Sequence, residues 1–284
     1  MKLLLQLAFV LLLMQGAALA EGPSEADYAA EVQRVQAKLG EGFTVIESRP
    51  FVVAGDEAAA RVRARAERTV QWAVRHLKDS YFEKDPEHII TIYLFRNAAS
   101  YRKHVKELFG DEPDTPYGYY SPSRRALVMN IATGGGTLVH EMVHPFMAAN
   151  FPKCPAWFNE GLASLYEQSA ERDGRIVGLT NWRLHGLQKT IRAGELGSFR
   201  DLTATDNHGF YKMDRGSNYA QARYLCYWLQ EHGKLRAFYH QFVAAAADDP
   251  SGYKTLVKVV GADDFAGFEK QWQRWVLTLR FGGM

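Results

Sequence analysis

One short run carries residues whose types and spacing could do chemistry together: His140-Glu141-Met142-Val143-His144. On a helix, residues four apart lie one above the other, so His140 and His144 can offer two imidazole nitrogens to a single ion. Glu141 sits one residue round, close enough to reach a ligand of that ion. This is the H-E-x-x-H pattern of a zinc site, with the glutamate as general base. Sixteen residues past His144 comes Glu160, in Trp157-Phe158-Asn159-Glu160-Gly161-Leu162-Ala163, a second amphipathic segment that supplies a carboxylate. The bland alternative is a pair of satisfied core histidines, because Leu138, Val139, Met142, Val143, Phe146 and Met147 make the first segment a buried helix.

Two histidines and one carboxylate leave the fourth position of a zinc ion open, which is what separates a catalytic site from a structural one. Zinc lowers the pKa of a bound water to roughly 7 and polarises a carbonyl. Glu141 would take the water's proton and hand it to the leaving amine. The expected cofactor is one zinc ion per chain, although manganese or iron suits the same donors. Geometry is the test: a Glu160 carboxylate more than about 6 Å from the imidazoles could close no tetrahedral cage.

His140-Glu141-x-x-His144 followed by Pro155-x-Trp157-Phe158-Asn159-Glu160-Gly161-Leu162-Ala163 resembles the gluzincin metallopeptidases. It is most similar to the small bacterial peptidase-MA-like proteins and shares the Asn-Glu-Gly element with the zinc aminopeptidases. The resemblance implies His140, His144 and Glu160 as ligands, Glu141 as base, and a zincin-like fold. It also implies a tyrosine or histidine from the C-terminal lobe that donates to the oxyanion. Tyr219 is the choice by position, ahead of Tyr211 and His208 on the loop before it. In gluzincins the strand before the metal helix is a sheet edge that holds extended substrate, so Ala126 to Asn130 is expected to be that edge. No Gly-Ala-Met-Glu-Asn segment, the aminopeptidases' grip on a free N-terminus, lies upstream, which speaks against exopeptidase action.

The setting is that of an exported globular protein. The chain has 284 residues, 47% of them hydrophobic and 23% charged, with a net charge of +2, which gives no reason to invoke nucleic acid or an anionic membrane. Residues 1–20 have a short basic start, an apolar run from Leu3 to Met14 and an Ala18-Leu19-Ala20 cleavage site, so secretion or a periplasmic address is expected, with cleavage after Ala20. No stable membrane span is expected afterwards. Cys154 and Cys226 could bridge in such a compartment, or stay as two buried thiols.

The elements that must position these groups follow from periodicity. Residues 21–284 read as one α+β domain: an N-terminal lobe of about 21–150 with helices on a small mixed sheet, the metal helix at the centre, and a helical C-terminal lobe of about 151–284. Helices are expected at Glu25 to Leu39, from an Asp56 cap to about Phe82, and from an Asn97 cap to Leu108. Strands are expected at Phe43 to Glu47, Phe51 to Ala54 and Ile89 to Phe95, with a hairpin of Tyr117 to Tyr120 and Ala126 to Ile131. Gly134-Gly135-Gly136 reads as a turn. Pro145 should bend or soon end the metal helix. Ala156 to Gln168 carries Glu160, with Ser164 one turn on as a brace for a ligand and Glu167 as an exposed ion-pair residue. After an Asp173-Gly174 turn, Ile176 to Leu179 reads as a strand and Asn181 to Ala193 as a helix. Helices follow at Ser198–Leu202, Tyr219–Glu231, Lys234–Ala246, Gly252–Val259 and Asp264–Leu279. His76, His88, His104, His232 and His240 read as surface residues.

The expected activity is zinc-dependent hydrolysis of a protein or peptide outside the cytoplasm, with the oligomeric state open. Its rivals are an envelope binding protein that keeps the fold without turnover, and a zinc hydrolase of a non-peptide amide such as a cell-wall component.

Overall fold

The computed structural model describes residues 22–110, 112–212 and 217–282, so the expected targeting segment lies outside the described residues. In chain order the elements are α1 (Glu25–Leu39), β1 (Thr44–Ser48), β2 (Phe51–Gly55), α2 (Ala59–Arg65), a π-helical turn (Ala66–Gln71), α3 (Trp72–Ser80), β3 (Ile90–Phe95), α4 (Ala98–Phe109), β4 (Gly118–Ser121), β5 (Ala126–Asn130) and α5 (Gly135–Asn150). They continue with α6 (Ala156–Leu165), β6 (Ser169–Arg172), β7 (Arg175–Gly178), α7 (Arg183–Ala193), α8 (Phe199–Ala204), α9 (Asn207–Tyr211), α10 (Ser217–Glu231), α11 (Leu235–Ala245), α12 (Tyr253–Val260) and α13 (Phe265–Thr278).

The five-stranded sheet runs β1-β2-β3-β5-β4, parallel at its centre and antiparallel at both margins. Alternation sorts its side chains. Phe51, Val53, Ile92, Leu94, Leu127 and Met129 face one way, into a cluster that runs on through α5, α6 and the C-terminal helices. Val52, Ala54, Tyr93, Phe95 and Val128 face the other way, under α1 and α4. The architecture is α+β with a mixed sheet, as the sequence predicts. No helix among the described residues is long and apolar enough to cross a membrane.

Local chemistry explains the boundaries. Ser24 forms a capping box with Asp27 on α1, and Asn97 Oδ1 accepts the Ser100 amide at 2.9 Å to start α4. Gly110 ends α4 in the left-handed region, φ 76°. Asp56 is not the cap of α2: its carboxylate accepts the Arg96 amide at 2.6 Å and the Ser100 hydroxyl, tying the end of β3 to α4. The helix predicted through to Phe82 is interrupted by the π-helical turn. Its buried residues Val62, Ala66 and Val70 step by four twice, ahead of a 3.6-residue period, and a wider turn takes up the excess.

Three expectations need correction. Strand β5 is interior, between β3 and β4, so the edge beside the metal helix is β4. Pro145 lies inside α5, which ends soon after it at Asn150. The helix holding Glu160 stops at Leu165, and Ser169–Arg172 pairs with Arg175–Gly178 through Asp173 and Gly174, both at positive φ. His76 is buried, its Nε2 3.0 Å from Glu171 Oε2. Cys154 and Cys226 are both free thiols.

Candidate metal centre

Helix α5 presents His140, Glu141 and His144, and α6 brings Glu160 across from them. The two helices meet because their other faces are apolar: Met142, Val143 and Phe146 on α5, and Trp157, Phe158 and Leu162 on α6, are all fully buried. Two close approaches set the spacing. A Cβ on Gly161 would stand 3.1 Å from both the Ala222 carbonyl oxygen and Cys226 Sγ, so α6 lies hard against α10. A Cβ on Gly136 would fall 1.9 Å from the Glu167 carbonyl oxygen, so the first turn of α5 abuts the chain leaving α6. The Arg223 guanidinium, wholly buried, donates to the carbonyls of Ser164, Leu165 and Leu179 and so closes the end of α6.

The donor atoms of His140, His144 and Glu160 all lie within 4.8 Å of one another. Glu160 Oε2 is 3.3 Å from His140 Nε2, and Glu160 Oε1 is 3.9 Å from His144 Nε2. Tetrahedral ligands about 2.1 Å from one ion stand roughly 3.4 Å apart, so the spread suits a zinc-sized cation. Glu160 Oε2 is also buried without a hydrogen bond, its one close polar neighbour His140 Nε2, so it is placed to accept a cation shared with that imidazole. The residues fit the ion.

Each imidazole is held from behind. His144 Nδ1 bonds Asn159 Oδ1 at 3.0 Å, which leaves Nε2 to face the cluster. His140 Nδ1 faces Glu167 Oε1 at 3.4 Å, an ionic contact just longer than a hydrogen bond. Glu167 is therefore not the exposed residue that the sequence predicts. It is buried, and its carboxylate accepts from Arg183 Nε at 2.9 Å, Arg183 Nη2 at 2.6 Å and Asn181 Nδ2 at 3.0 Å. Ser164 braces no ligand side chain: its hydroxyl donates to the Glu160 carbonyl at 2.6 Å within the helix.

Charge is arranged around the cluster with opposing effects. Burial would raise the Glu160 carboxyl, but both imidazoles and the Tyr211 hydroxyl hold it down to about 2. Burial acts the same way on Glu167, and Arg183 and His140 overcome it, again to about 2. Burial would lower His140, yet Glu160 and Glu167 on its two sides lift it to about 10. Glu141 alone among these carboxyls is raised: burial dominates, and the neighbouring histidines and the Tyr120 amide only partly offset it. A carboxylate raised in this way is the better proton acceptor. Its Oε2 lies 4.0 Å from His144 Nε2 and accepts the Tyr120 main-chain N–H at 3.0 Å.

Two tyrosines border the cluster. Tyr211, at the end of the short α9 where the sequence suggests only a loop, donates to Glu160 Oε1 at 2.8 Å. Tyr219 packs its ring on Phe210 and Tyr211, under the Arg183 guanidinium at 5.2 Å. Burial and then the Glu160 charge push its hydroxyl pKa up. Sequence reasoning missed Asn159, Asn181 and Arg183. Asn159 alone carried a hint, lying inside the same short motif as Glu160.

No protein-family model matches the chain, and a comparison with curated proteins returns no match.

Proposed function

We propose that this chain is an exported zinc-dependent peptidase with a zincin-like fold. The convergence of His140, His144 and Glu160, with Glu141 beside His144 and raised in pKa, carries the reading. When bound, a zinc-type cation supplies Lewis acidity and brings the pKa of water down to roughly 7. Glu141 takes the proton of the attacking water and returns it to the leaving amine. Asn159 and Glu167 hold the two imidazoles in the tautomer and orientation that leave Nε2 toward the ion. A tyrosine hydroxyl, Tyr219 in the first instance, donates to the oxygen that gains charge. The margin of β4, which among the described residues has no strand beyond it, supports a peptide substrate because main-chain pairing would hold an extended chain there. The apolar leader and its cleavage site, residues 1–20, support export.

Metal analysis of the purified mature protein tests the reading first. One zinc per chain is expected, lost in His140→Ala, and a protein that binds no metal at neutral pH overturns it. Hydrolysis of casein and mixed peptides should then fall at least about a hundredfold in Glu141→Gln, which keeps its zinc. Turnover of a muropeptide alone would point to the non-peptide amide, and bound zinc without turnover to a binding protein.

A further inference from the structure

One row of α5 is Thr137, Glu141, His144 and Ala148, three or four residues apart, the first three half-buried and Ala148 exposed. Ala148 lies one turn past His144 on the side that carries the cluster. There a pocket of about 210 Å³ opens between the second half of α5 and the end of β4, walled by Tyr120, Pro122, Pro145, Ala149 and Pro152, with Ala148 among its lining. Tyr120 joins pocket to site, since its amide bonds Glu141 at 3.0 Å, and Pro145 directly follows His144. The prolines offer no N–H and have little freedom to close in. The charged neighbours Glu87, His88 and Arg125 are all exposed, so the ionic groups lie toward solvent. An apolar cavity of about 150 Å³ takes a benzene ring, so this one has room for a large side chain.

We propose that this pocket is a substrate subsite that receives a large apolar side chain, aromatic or aliphatic, of the peptide being cut. The proposal rests on the peptidase reading above. Position gives the register: Ala148 stands four residues from His144 and seven from Glu141, about 6–10 Å along the helix. An extended chain advances about 3.3 Å per residue, so the side chain belongs two or three residues from the cleaved bond. Main-chain pairing on β4 would be indifferent to sequence, and the pocket adds selectivity.

A mixed peptide library cut by the zinc-loaded protein tests this. Cleaved bonds should have Phe, Tyr, Leu or Met two or three residues to one side, favoured over Ala or Gly about tenfold or more. Ala148→Trp, at an exposed position, should erase that preference while metal content and melting stay unchanged. Ala149→Leu should weaken it. Cleavage without apolar preference there, or a preference that survives both variants, overturns the proposal. If the wild type cuts no peptide, the peptidase reading fails and the subsite is judged by fluorescence anisotropy on zinc-loaded Glu141→Gln. Tighter binding of Phe-containing than of Ala-containing peptides, abolished by Ala148→Trp, upholds the subsite, and equal binding overturns it.

Discussion

Glu167 Oε1 stands 3.4 Å from His140 Nδ1, on the far side of the ring from the nitrogen that faces Glu160. His140 thus lies between two carboxylates, one in the cluster and one clamped by Arg183. A carboxylate behind a metal-facing imidazole orients the ring and raises its basicity, and its loss typically costs ten- to a hundredfold in metal affinity. Glu167→Gln should weaken zinc binding by about that factor in chelator competition. An unchanged affinity would reduce Glu167 to a partner of Arg183.

The two tyrosines should separate by readout. The Tyr211 proton is committed to Glu160 Oε1, so Tyr211→Phe should loosen the carboxylate and weaken metal binding. Tyr219→Phe should leave metal affinity alone and lower kcat by about 10²–10³, the usual cost of an oxyanion donor. Titrating zinc and measuring kcat on both variants decides it, and the opposite pattern exchanges the roles.

Metal binding should release a proton. Without metal, His140 is held at about 10, so at pH 7 the ring carries a proton that a cation at Nε2 must displace. Apparent affinity should therefore rise with pH, by up to about tenfold per unit below that value. Calorimetry in buffers of different ionisation enthalpy measures the release, and a buffer-independent enthalpy would contradict it. For the metal-free protein the signs are fixed separately. His140, raised, lends stability that is full below 6.5 and lost as pH climbs through about 10. Glu160 and Glu167, depressed, lend stability that is full above 4.5 and lost as pH falls through about 2. Melting temperature followed across pH on chelator-treated protein should decline on both limbs.

Gly136→Ala should damage the fold and the site together. Its Cβ would fall 1.9 Å from the Glu167 carbonyl oxygen, so α5 must shift away from the residue that backs His140. Overpacking of this kind costs about 1–3 kcal/mol. Melting should drop by several degrees and zinc should bind more weakly. Gly135→Ala, which meets only the Thr69 side chain at 3.3 Å, is the milder control.

Much of this was legible in the chain because it is local. Helix α1 ends at Gly40 and α4 at Gly110, where the glycines stand, and the short apolar runs of β2 and β3 mark strands buried on both faces. The cluster itself is a helical spacing plus one carboxylate. What escaped is non-local. Glu167 looks like a solvated residue until Arg183 folds back over it across the β6–β7 hairpin. The edge falls to β4 because β5 crosses to lie beside β3, an order that no hydrophobic pattern encodes. Asp56 has the residue type of a cap, but tertiary contact gave it the amide of Arg96 instead.

The single hydrogen bond between the Tyr120 amide and Glu141 sets two claims on one donor. A chain that lies down along β4 and pairs at this residue has to take that N–H for its own carbonyl. Glu141 would then give up a contact that lowers its pKa and become more basic as that chain lay down. Arrival and activation would be one event, and water alone, bringing no competing strand, would find the acceptor still restrained.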